Sequence, residues 1–263
     1  AALQGQVATV ARLLRHNADP NHKHDVTTPL YAAAASGHAS VVRVLLQADA
    51  DPNLAQADDT DGAETAVSAA PPLFVAAEKG HKRIVSALIK ARVDVNLVRS
   101  DGVSALQAAV WFPTKSSPDI VALLCEAGAD VERAREGTSP LMNAVLQDNV
   151  DLARQLIRCS ADVNLIRAGG SSPLQLAVLW AKSESMVTLL CEAGASVNQA
   201  FNHTPHHSPL EEAALQGNVP LTRALLAAGG TSPDLWRLEG LARDSGSEQV
   251  LSLLEPLLSK RDS

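Results

Sequence analysis

Five of the eight histidines of this 263-residue chain (His22, His24, His203, His206 and His207) and its three cysteines (Cys125, Cys159 and Cys191) are of types that could hold a metal or supply a nucleophile. A zinc site needs three or four such ligands held on a helix face or in a paired Cys-x-x-Cys loop. These histidines fall in connecting segments with no cysteine beside them, and the cysteines lack Cys-x-x-Cys spacing. They read as solvated loop residues and as small packing residues, so no metal is expected. An odd cysteine count also argues against a disulfide framework and fits a reducing compartment. No phosphate-cradling Gly-x-x-x-x-Gly-Lys-Ser loop, Gly-x-Ser-x-Gly elbow or His-Glu-x-x-His helix occurs, and neither catalytic residues nor a cofactor are expected.

The elements that would have to carry any chemistry are helical. The chain is 46% hydrophobic but only 3% aromatic, and its Ala, Leu and Val suit helices packed closely through small side chains. A formal charge of -7 disfavours general nucleic-acid binding, leaving room for a local basic strip. No apolar run is long enough for a membrane span, so the reading is an intracellular, soluble protein, in the cytoplasm first and an organelle second.

One phrase recurs along the chain. It runs Thr28-Pro29-Leu30, Pro71-Pro72-Leu73, Ser104-Ala105-Leu106, Ser139-Pro140-Leu141, Ser172-Pro173-Leu174 and Ser208-Pro209-Leu210, with 43, 33, 35, 33 and 36 residues from leucine to leucine. A second phrase follows, as in Ala87-Leu88-Ile89 to Asp94-Val95-Asn96 and Gln155-Leu156-Ile157 to Asp162-Val163-Asn164. Ser or Thr caps a helix, Pro occupies its first position where a missing N–H is harmless, and Leu and Ala share one face. Turns such as Ser36-Gly37-His38 reverse the chain into a second helix. Two such helices cannot bury their apolar faces alone, so the units must stack.

These phrases resemble the ankyrin repeat, with its Thr-Pro-Leu-His start, Gly-His turn and Asp-Val-Asn ending. The resemblance implies an all-α ankyrin-repeat solenoid of helix-turn-helix units with projecting β-hairpin loops, as one domain over 1–263. About seven repeats are expected: a partial one over 1–21, then 22–53, 54–96, 97–132, 133–164, 165–198 and 199–230, and a degenerate C-terminal cap over 231–263. In the cap, Trp236 is expected to serve folding. The chain opens without Met inside a helical motif, which suggests a part of something longer. Val95 to Gln107 and Val163 to Gln175 are near copies two repeats apart, and both lengthen the link between helices, over 112–118 and 180–185. Tyr31, Phe74, Gln107, Met142, Gln175 and Glu211 replace the signature His. Arg92 and Ser160 stand where the family places a left-handed Gly.

In ankyrin proteins the ends of the first helices border a concave groove. Here those positions turn apolar from the fourth repeat onward: Trp111, Phe112, Leu146, Leu179, Trp180 and Leu215. A patch with Trp at its centre suits a binding hot spot; the alternative is that the longer links fold over and bury it. Arg99, Arg133, Arg135 and Arg167 occupy positions that resemble hairpin-tip contacts, unless Asp101, Glu132 and Glu136 pair with them. The expected partner is therefore a protein with apolar anchors and acidic flanks. Asn96 and Asn164 resemble the asparagines that hydroxylases modify in this family. The acidic stretch 58–64 reads as a surface insertion. The function implied is noncatalytic protein binding; the alternatives are a regulatory or targeting segment of a larger enzyme and a permanent subunit of a larger complex.

Overall fold

The computed structural model describes residues 1–24, 27–55, 70–135, 137–166, 170–180, 182–202 and 207–259. They pack as two compact units, Ala1–Arg135 and Glu136–Ser263. Among the described residues there are fifteen helices and no strand; isolated bridges such as His24–Thr27 and Val98–Ser104 mark the connections expected as hairpins.

Unit 1 contains α1 (Val7–Arg15), α2 (Pro29–Ala35), α3 (Ala39–Gln47), α4 (Pro72–Glu78), α5 (Lys82–Lys90), α6 (Ala105–Trp111) and α7 (Ser117–Glu126). Helices α2, α4 and α6 form one layer and α1, α3, α5 and α7 the other. Unit 2 repeats the scheme. Its first layer is α8 (Pro140–Leu146), α10 (Pro173–Leu179), α12 (Pro209–Leu215) and α14 (Leu235–Asp244). Its second is α9 (Val150–Arg158), α11 (Glu184–Glu192), α13 (Val219–Ala227) and α15 (Glu248–Leu258).

Helices α2, α4, α6, α8, α10 and α12 have seven residues each, too few to persist alone in water. Stacking holds them. Leu30, Leu106, Leu141, Leu174 and Leu210, with the alanines one turn on, are completely buried, each leucine contributing about 2 kcal/mol of transfer free energy. Local signals set the boundaries. Thr28, Ser104, Ser139, Ser172 and Ser208 each accept a hydrogen bond from the third helical N–H.

The residues that replace the signature His explain which caps are doubled. Gln107, Gln175 and Glu211 reach back to the cap N–H and complete a capping box. The amides of Gln107 and Gln175 also bond the next connection, at Arg133 O and Gln199 O. Phe74 and Met142 cannot do this and are buried in the core instead. The Gly-His turns interlock: Gly5 and Gly37 sit at φ 70° and 78°, and a Cβ there would lie within 2.9 Å of the His38 and His81 rings of the following turn.

A second ladder joins the asparagines. Asn21, Asn53 and Asn96 in unit 1 accept from the N–H of Asp51, Asp94 and Asp130. In unit 2, Asn164 and Asn198 accept from Ser196 and Thr231.

Three details differ from expectation. Helices α7 and α11 begin at Ser117 and Glu184, so the long links end earlier, because Thr114 N donates to Ser117 Oγ and Ser183 caps α11. Trp236 is 68% exposed on α14, and Leu238 and Ala242 carry that helix's burial. His207 is not a solvated loop residue: it is buried, with Nδ1 3.2 Å from Glu212 Oε2.

Candidate functional site

In unit 1, Trp111 is the last residue of α6, one step past the buried run Ala105–Val110. Its indole is half-buried against Ala70, Phe74, Val103 and Ala108, with Tyr31 on the same cluster. The guanidinium of Arg135 lies over the Trp111 ring, 5.0 Å from its centroid, and that of Arg99 lies 4.7 Å from the Phe74 centroid. Asp101 joins the two stacks. Arg99 Nε and Nη2 donate to its carboxylate at 3.0 and 2.6 Å, and Arg135 Nη1 stands 3.2 Å from Oδ2. The Arg99 hydrogen bond holds the Asp101 carboxyl below the usual carboxylate range. Burial, then the Glu78 carboxylate, pushes the Tyr31 phenol up. Phe112, capping the end of α6, is 51% exposed.

In unit 2, Leu146, Leu179 and Leu215 end α8, α10 and α12, and Trp180 caps α10. Leu146 and Leu215 are partly exposed, Leu179 less so, and the Trp180 side chain is 65% exposed. The longer links therefore do not bury Phe112 or Trp180. Polar groups brace the apolar row. Gln216 Nε2 donates to Val178 O at 3.1 Å and to Glu212 Oε1 at 3.0 Å, and Gln147 donates to Asn143.

Asp148 is not among the residues expected from sequence to act at the site. It occupies the turn position taken by Gly37 in the earlier repeat and has φ 53°. Its carboxylate accepts from Ser183 N at 3.2 Å and Ser183 Oγ at 2.9 Å, pinning the link that follows Trp180. An acid replacing a turn glycine was the available signal, since Asp tolerates the left-handed region better than most residues.

Arg99 and Arg135 are engaged rather than free. Arg133 Nε lies 3.8 Å from Asp130, within ion-pair range, but makes no hydrogen bond. Arg167, His203, His206 and the acidic stretch 58–64 lie outside the described residues. Among those described, no group of three or more His, Cys, Asp or Glu is placed to hold a metal ion, and His22 and His24 are exposed. Burial and the neighbouring Glu192 push the Cys191 thiol up to about 11, a packing residue's behaviour.

Asn96 and Asn164 are held at both ends of the amide. Each donates through Nδ2 at 3.0 Å, to Gly128 O and Gly194 O. No helix among the described residues is long and apolar enough to cross a membrane.

Comparison with known proteins gives the same architecture. The family profile described as Ankyrin repeats (3 copies) matches residues 1–56, 61–135 and 132–201. The ankyrin repeat domain of Bcl-3, described as a unique member of the IkappaB protein family, superposes with a TM-score of 0.69 at 25% identity, over 86% of this chain and 96% of that one. The human ASB11 ankyrin repeat domain gives 0.65 at 22% identity, over 88% and 97%. An ankyrin repeat domain from Acinetobacter baumannii AYE gives 0.64 at 25%, over 77% and 98%. The inferred palmitoyltransferase ZDHHC13 of Danio rerio is 34% identical over 145 residues, which are 55% of this chain and 22% of that protein. The chain thus spans well under two thirds of that relative's length. Capped seven-residue helices, Gly-His turns and an asparagine ladder, matched by the profile over most of the sequence, have one reading: the chain belongs to the ankyrin-repeat family.

Proposed function

We propose that the chain binds a protein partner through the exposed ends of its first-layer helices, with Trp180 of unit 2 as the principal anchor. The observation that carries this reading is a tryptophan 65% exposed on a link pinned by Asp148. Rigid exposed aromatics beside aliphatic neighbours are the usual centres of binding energy. Leu146, Leu179 and Leu215 supply the surrounding apolar contacts. In unit 1, Phe112 is a further contact, while Trp111 and Arg135 form a preordered aromatic–guanidinium face. The partner brings apolar side chains. Arg99 and Arg135 both already meet Asp101, so acidic flanks of the partner fall to Arg167, the remaining tip contact proposed. The repeat boundaries given above, and modification of Asn96 and Asn164, belong to the same proposal.

A photo-crosslinking residue placed at position 180 tests it, with position 223, exposed on the second layer, as control. A discrete product at 180 and none at 223 supports the reading; equal labelling at both removes it.

A second reading is that these repeats recruit or regulate within a larger enzyme. The likeness to the inferred palmitoyltransferase, confined to 22% of that protein, favours it. The two readings are compatible, since a recruiting segment acts by binding.

A further inference from the structure

The second-layer face of unit 1 carries a groove of about 950 Å³ that runs between α3 and α5. Arg43, Lys82, Arg83 and Lys90 line it, and no Asp or Glu does. All four cations are exposed. Lys82 reaches Asp119 on α7 at 2.8 Å, whereas Arg43, Arg83 and Lys90 make no ion pair with the described residues. The asymmetry is written into the chain. From Lys79 to Val93 there are cations at 79, 82, 83, 90 and 92 and no carboxylate, in a protein of net charge -7.

Helix α5 has no acid in its first turn and places Lys82 and Arg83 there instead, so the positive end of the helix adds to their field. The floor is made of small side chains, among them Ala39, Ser40, Ser86 and Ala87, with Leu46 and Leu123 offering apolar contact.

We infer that this groove is a docking site for an extended, acidic protein segment. Lys82 and Lys90 are eight residues apart on one helix, about 12 Å along its axis, which an extended strand covers in about four residues. Carboxylates at that spacing meet the two cationic ends while the residues between them lie on the small-residue floor. An anionic bilayer is flat and would touch only the projecting tips, leaving the floor empty. Nucleic acid is disfavoured by the chain's net negative charge and by a lining that holds no Phe, Tyr or Trp, its one aromatic ring being the His38 imidazole. The site is separate from the proposed anchor in unit 2, and each can fail without the other.

The test uses the full chain and a fluorescein-labelled peptide of about twelve residues, with Glu at every fourth position on a Ser and Val background, read by fluorescence anisotropy. Saturable binding is expected at low salt, weakened at least about tenfold at physiological ionic strength. Arg83→Glu with Lys90→Glu should weaken it by at least about tenfold more, with an unchanged melting curve. Arg83→Gln with Lys90→Gln should fall between, and decides the matter should charge reversal perturb folding. Trp180→Ala should have no effect. Absence of peptide binding, or binding indifferent to these substitutions, overturns the proposal. So does capture of phosphatidylserine vesicles or single-stranded RNA through the same residues without the peptide.

Discussion

Arg135 covers the Trp111 ring at 5.0 Å and extends Nη1 to within 3.2 Å of Asp101, so one of the two tryptophans that the sequence offers as anchors is half-buried and already partnered. Trp111→Ala should lower the stability of unit 1 by about 2 kcal/mol, roughly half the cost of deleting a fully buried aromatic. Arg135→Ala should cost about 0.5–1 kcal/mol. Urea unfolding of each variant measures both. A Trp111 variant as stable as wild type would mean the indole contributes nothing to the core.

Arg92 and Ser160 adopt φ 58° and 66°, while Gly128 at the equivalent helix end has φ 89°. Arg92→Gly and Ser160→Gly should each raise stability by up to about 1 kcal/mol, because relief of the left-handed penalty outweighs the added freedom of the unfolded chain. A fall in the urea midpoint for either variant would reveal a side-chain contact that outweighs the backbone strain.

Much of this was legible beforehand, for identifiable reasons. Ser104, Ser139, Ser172 and Ser208 state their caps in the residue itself, and the spacing of Leu and Ala dictates which helix face is buried. Arg92 and Ser160 announced their left-handed backbone by standing in for glycine. What escaped were relationships set by side chains meeting across repeats. Nothing local says that Arg135 will lie on Trp111, that Asp148 will hold Ser183, or that His207 will be buried against Glu212. Trp236 misled for the opposite reason: a large apolar residue near a chain end suggests burial, but helical phase turns it away from Leu238 and Ala242. The Arg and Lys of α3 and α5 were visible in the sequence, yet stand out as one acid-free groove only when the helices are side by side.

Asn96 and Asn164 each lock a connection to its successor through two hydrogen bonds. Asn96→Ala and Asn164→Ala should each cost about 1–2 kcal/mol, since a backbone donor and acceptor lose their partners together. Thermal melts report the cost. Peptide mass spectra of native material test the proposed hydroxylation, and wholly unmodified Asn96 and Asn164 would remove it.

Acid should loosen unit 1 partly through Asp101. Its folded carboxyl is depressed by Arg99, so its stabilising contribution is complete above the unfolded value of about 3.9 and is lost as pH falls through the lower folded value. Asp101→Asn should be less stable than wild type at neutral pH, with the gap closing below about pH 4. A gap that stayed constant into strong acid would show that the charge on Asp101 is not what matters.

Cys191, with its thiol pushed up to about 11, holds little thiolate at neutral pH and should react with iodoacetamide far more slowly than an ordinary exposed thiol. Peptide mapping after timed alkylation measures this. Rapid labelling of Cys191 in the folded protein would contradict its assignment as a packing residue.

The most direct measurement of the central claim pairs binding with stability for Trp180→Ala, using the partner recovered with the wild-type chain. An exposed anchor that does not hold the fold together should lose about 2 kcal/mol of affinity or more, while the urea midpoint changes by less than about 0.5 kcal/mol, as for other surface substitutions. Wild-type affinity in the Trp180 variant, or a large loss of stability with affinity intact, would contradict the assignment of Trp180 as the anchor through which this ankyrin-repeat protein binds its partner.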